Sequence, residues 1–70
     1  MEQNIIELKN ILKKGFDISS FMGYKQEKVI VTFQKKKDVL KKEFVFSNRR
    51  YYLIFLSAVR RYYDGSGRVN

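Results

Sequence analysis

The sequence predicts an α+β fold: a helix, a two- or three-stranded antiparallel sheet and a second helix, with both helices on one face of the sheet. Three observations predict it. Apolar residues recur at helical spacing near both ends of the chain. Between them, apolar and polar residues alternate with period two. No Pro-rich or repetitive stretch divides the 70 residues, so one compact domain over residues 1–64 is expected, with a flexible tail over 65–70.

The first helix is read from Met1, Ile5, Leu8 and Leu12, which fall on one stripe with Ile11 beside them. Glu2 and Glu7 come early and Lys13 and Lys14 late, as the helix dipole favours. Gly15 is a natural left-handed stop, and Phe16 after it can fold back on the last apolar turn. Phe16, Ile18 and Met22 then sit at even spacing, which predicts one strand face, with Phe21 and two Ser on the other. Residues 23–27, Gly-Tyr-Lys-Gln-Glu, are polar enough for a turn.

Residues 28–34 give the clearest strand. Val29, Val31 and Phe33 share one face, and Ile30 and Thr32 the other. Residues 35–38, Lys-Lys-Lys-Asp, read as a charged loop. Phe44, Val45 and Phe46 close a further strand that begins near Lys41; residues 38–43 could alternatively make a short helical turn. Ser47 or Asn48 then caps a helix over about residues 49–63, with Gly65 as its stop.

Composition narrows the chemistry. A core of this size supplies only about 3–5 kcal/mol. The chain has no Cys and no His, so disulfides and the usual zinc sites are excluded, and packing of six Phe and five Tyr must carry the fold. Met1 and Glu2 open on a polar-apolar mixture rather than a basic then apolar leader, so no secretory signal is expected. The longest apolar run, residues 51–56, is far short of the roughly 20 residues of a membrane span. A soluble, cytoplasmic protein is expected.

Fifteen Lys and Arg against seven Asp and Glu leave a net charge of +8. Such a field attracts polyanions, nucleic acid first among them. The bland alternative is a Lys-rich surface kept for solubility. The cations are sorted along the chain: every Lys lies at or before Lys42 and every Arg at or after Arg49. On a helical wheel, Arg49, Arg50, Arg60 and Arg61 fall in an arc of roughly 120°, with Leu53, Ser57 and Asp64. Arg offers a planar fork of donors that matches phosphate and carboxylate, and exposed N–H groups at the helix start would add to the seat. Lys35, Lys36 and Lys37, followed by Lys41 and Lys42, would extend the reach along a phosphate backbone, or else guard the sheet edge. A further cluster, Lys9, Lys13 and Lys14, belongs to the polar face of the first helix. Tyr24, in its polar turn, is a candidate for stacking an unpaired base.

The apolar arc of the last helix spans roughly 200°, wider than the stripe of about 100° that a surface helix needs. Tyr51, Ile54, Ala58 and Tyr62 form its surplus flank. Either the first helix covers them, or they serve as a homodimer seam or partner-docking face, since Tyr and Arg are enriched at interface hot spots.

Catalysis is not expected. Proton transfer lacks a His, nucleophilic attack lacks a Cys, and the carboxylates are scattered among Lys without a motif. No cofactor is implied. A small ribonuclease working through Arg60, Arg61, Tyr62 and Tyr63 is the one catalytic alternative, and no motif carries it.

With three strands, the element order resembles the double-stranded-RNA-binding domain, whose second helix opens with a basic K-K-x-A-K motif that contacts phosphates across a groove. The matching stretch here is Ser47-Asn48-Arg49-Arg50-Tyr51-Tyr52, basic at two positions and without the Ala or the third cation. In place of that family's Gly- and Pro-containing loop between the first two strands stands Tyr24-Lys25-Gln26-Glu27. The resemblance implies phosphate contacts by Arg49 and Arg50.

The leading expectation is therefore a small basic protein that binds DNA or RNA, gripping phosphates through Arg49, Arg50, Arg60 and Arg61 with Lys35, Lys36 and Lys37. The alternative is an interaction protein of a phage or mobile element. It would set the same Arg face against an acidic surface of a larger host protein, such as a defence-system or nucleic-acid-processing complex, and inhibit or recruit it.

Overall fold

The computed structural model describes residues 3–65, in the order α1 (Gln3–Lys13), β1 (Asp17–Tyr24), β2 (Lys28–Lys35), β3 (Asp38–Val45), α2 (Arg49–Gly65). The fold is α+β, as the two periodicities require. The sheet has three strands, antiparallel throughout in the order β1-β2-β3. Met1, assigned above to the first apolar stripe, and residues 66–70 of the expected tail lie outside the described residues.

Short connections enforce the antiparallel pairing. Residues 25–27 turn β1 into β2, with Glu27 in the left-handed region at φ 52°. Gly23 and Tyr24 thus belong to β1 and not to the turn. Lys36 and Lys37 alone join β2 to β3, Lys36 also being left-handed at φ 55°. The charged loop is therefore shorter than expected. Lys35 ends β2, Asp38 starts β3, and residues 38–43 are strand rather than a helical turn. Gly15 adopts φ 100° directly after α1, the left-handed stop its position suggested.

Val29, Val31 and Phe33 are buried on one face of β2. Partners directly opposite in register share a face. Phe44 and Leu40 therefore join this side from β3, opposite Val29 and Phe33. On β1 the alternation breaks. Ile18 pairs with Phe33 but Ser20 pairs with Thr32, so Ser19 is an extra residue in a bulge. Its hydroxyl donates to the Thr32 carbonyl at 3.3 Å. The bulge resets the phase: Ile18 and Phe21 both lie on the core side, while Ser20, Met22 and Tyr24 fall on the outer side with Thr32, Ile30 and Lys28. The grouping of Ile18 with Met22, and of Phe21 opposite them, is thereby corrected, and Met22 is 57% exposed.

Leu8 and Ile11 of α1 and Tyr52, Phe55 and Val59 of α2 close the same core. Phe55 is its centre, with ring centroids 4.7 Å from Phe44 and 5.0 Å from Phe46. Both helices cover one face, and the other face of the sheet has no covering element among the described residues.

Polar contacts orient the two helices. The Asn4 side-chain amide donates to the Val45 carbonyl at 3.0 Å, and Lys35 Nζ donates to the Lys14 carbonyl at 2.6 Å. Helix α1 therefore runs antiparallel to β3, its end capped by a cation as the dipole favours. Glu7 on α1 pairs with Lys42, which pairs in register with core-facing Val31. On the other flank, α2 starts at the β1–β2 turn, where Arg49 meets Glu27, and runs back along β1 until Tyr63 packs edge-on to Phe21 at 5.5 Å. The two helices thus run side by side in the same direction.

Candidate nucleic-acid interface

Asn48 is the residue that caps α2. Its side-chain oxygen accepts from the Arg50 N–H at 2.7 Å and from the Tyr51 N–H at 3.4 Å. With the helix fixed there, the azimuth of each Arg follows. Arg49 and Arg60 are eleven residues apart, as are Arg50 and Arg61. Each pair differs by about 20° around the axis and about 16 Å along it.

The two pairs have different surroundings. Arg49 and Arg60 lie on the β1 side of α2. Arg49 bonds Glu27 at 3.2 Å and lies 5.7 Å from the Tyr52 ring centroid. Arg60 lies 5.8 Å from the ring centroid of Phe21. The Glu27 and Phe21 contacts tie the helix to the β1–β2 turn and to β1, each contributing at most about 1 kcal/mol at such exposed sites. Arg50 and Arg61 are turned outward and make no ion pair among the described residues. The arc of four Arg is therefore two stripes about 100° apart, one tied to β1 and one facing solvent.

On the opposite flank, α1 and α2 leave a groove between them. It holds two adjoining depressions of about 320 Å³ each. Ile5, Lys9, Ala58, Arg61 and Tyr62 line one; Lys9, Leu12, Lys13 and Tyr62 line the other. Lys9 and Lys13, one helical turn apart, flank it from α1, and Arg61 flanks it from α2. No carboxylate lines either depression. The surplus flank of α2 borders the groove and is not covered by α1: Tyr51 is 47%, Ile54 51% and Tyr62 38% exposed, with Ala58 half-buried.

The remaining basic candidates distribute as follows. Lys35 serves as the cap of α1 and sits 5.8 Å from the Phe16 ring. Lys36 and Lys37 are exposed on their two-residue turn, at the end of the molecule toward which α1 runs. Tyr24 is on the outer sheet face, where Lys28 Nζ lies 5.6 Å from its ring. That face has its own shallow depression of about 250 Å³, with Lys41 as its one cation.

Beside Arg61 the fold places Tyr62, which the sequence sets with it, and Lys9 of α1, which the sequence sets in a separate cluster. Lys9 and Lys13 were visible as a basic cluster, but their meeting with Arg61 depends on the packing of two helices separated by the whole sheet. Among the described residues, no group of three or more His, Cys, Asp or Glu is arranged to hold a metal, and no helix is long and apolar enough to cross a membrane. Compared with protein-family models, with curated proteins and with solved structures, the chain matches none.

Proposed function

We propose that this chain is a non-catalytic nucleic-acid-binding protein that engages phosphates from its helix side. The observation that carries the reading is the meeting of Lys9, Lys13 and Arg61 around one groove free of carboxylates. Three cations from two elements give a directed positive surface within the general field of a +8 chain. Arg50 adds a fourth cation on the outward stripe, and Lys36 and Lys37 extend the surface at one end. Arg49 and Arg60 contribute less, because their guanidinium groups are already engaged by Glu27, Tyr52 and Phe21. Affinity of this kind comes mostly from counterion release and carries little sequence preference.

The test is fluorescence anisotropy with labelled oligonucleotides from about 50 to 200 mM salt. A log–log slope of about −2 to −4 is expected, corresponding to several phosphate contacts. Arg61→Ala with Lys13→Ala should weaken binding at least tenfold and flatten the slope by between about 1 and 2. No binding at the lower salt removes this reading.

A second reading is favoured by one specific feature, the exposed Tyr51 and Ile54 beside the cations. Aliphatic surface next to Arg and Tyr suits a protein partner with an acidic rim, or a second copy of the chain. A phage or mobile-element inhibitor of a larger host protein would use such a face. Under this reading Ile54→Ala abolishes association, measured by sedimentation for a dimer; under the first it leaves oligonucleotide affinity within about twofold, as expected for a residue outside the phosphate contacts.

A further inference from the structure

We infer that the groove between α1 and α2 takes single-stranded rather than duplex nucleic acid, by stacking bases against Tyr62. The inference rests on the nucleic-acid reading and names the substrate class for the same site.

Tyr62 and Lys9 are the two side chains common to both depressions of the groove, and Tyr62 is the aromatic partition where they adjoin. Each depression has an apolar floor, Ile5 and Ala58 on one side and Leu12 on the other, and each is flanked by Lys9. Arg61 adds a second cation to the first depression, and Lys13 to the second. An aromatic partition with cations on both sides has the two components that bind single strands: a π surface for bases and a basic track for the backbone. Tyr62 is 38% exposed, so its ring is available without unfolding the helix.

A duplex makes poorer use of this groove. Its bases are paired inside the helix and its phosphates lie outermost, so it would touch the flanking cations and leave the apolar side chains between them, Ile5, Leu12, Ala58 and the Tyr62 ring, without a stacking partner. A single strand can turn bases inward while its phosphates remain at Lys9, Lys13 and Arg61. The outer sheet face is less suited. Its exposed Tyr24 already has Lys28 near its ring, and Lys41 is the one cation of its depression.

The experiment compares three labelled probes of about 12 nucleotides, a length within the span of small single-strand grooves. They are oligothymidylate, an abasic strand with the same phosphates, and a mixed-sequence duplex, each at about 50 mM salt. Oligothymidylate is expected to bind at least tenfold more tightly than the abasic strand and more tightly than the duplex. Tyr62→Leu, which keeps apolar bulk but loses the ring, should weaken oligothymidylate binding by roughly tenfold and leave the abasic strand unchanged. Tyr62→Phe should retain the wild-type preference. Equal binding of the abasic strand, or tighter binding of the duplex, overturns the inference while the phosphate-binding reading stands. Absence of binding by all three probes overturns both.

Discussion

Gly23 of β1 lies directly beneath Tyr52 and Leu56 of α2. A Cβ at this position would come within 2.5 Å of the Tyr52 hydroxyl oxygen and 3.2 Å of a Leu56 methyl. Tyr52 is buried and its ring packs edge-on to Phe46 at 6.4 Å, so it has little room to yield. Gly23→Ala should therefore destabilise the fold by about 1–3 kcal/mol, as overpacking does, and urea unfolding would measure it. A loss under about 0.5 kcal/mol would show that Tyr52 relaxes freely. The sequence assigns Gly23 to a turn because Gly is a turn residue, whereas its role depends on a helix about 30 residues later. Ser19 is a similar case: period-two reading carries Ile18 onto the face of Met22, and nothing local marks the inserted residue. Gly15 and Asn48 were legible because a helix stop and a helix cap are satisfied within one turn of chain.

At the scale of elements, both helices and β2 follow from periodicity, since a buried face leaves its spacing in the sequence whatever it packs against. Phe55 shows how much rests on that face. Its removal should cost about 3–5 kcal/mol, close to all that a core of this size supplies. Phe55→Ala should accordingly lose the cooperative thermal transition by circular dichroism. The Arg arc was legible as an arc, but not its division. Neighbouring β1 supplies Phe21, and the turn after it supplies Glu27; these engage one stripe and leave the other outward. Arg49→Ala should thus change stability by at most about 1 kcal/mol and lower oligonucleotide affinity less than Arg61→Ala. The reverse ranking would mean that the β1 side of α2, and not the groove, meets the phosphates.

For the molecule as a whole, the +8 charge is a property of composition, but its direction is a property of packing. Because α1 and α2 run side by side in the same direction, Lys9 and Lys13 approach Arg61 across a groove with no acidic neighbour in its lining. Tyr62 was legible as part of a surplus flank, but neither the groove nor whether α1 covers that flank could be read from the chain, since both depend on how far α1 stands from α2. The central claim is that this groove is the surface that meets nucleic acid. The most direct measurement is a backbone amide NMR titration of the labelled protein with oligothymidylate. The expected result is a set of perturbations confined to the facing sides of α1 and α2, centred on Lys9, Lys13, Arg61 and Tyr62. Perturbations centred instead on Met22, Ile30 and Thr32 of the outer sheet face, or none at a saturating excess of oligonucleotide, would contradict it.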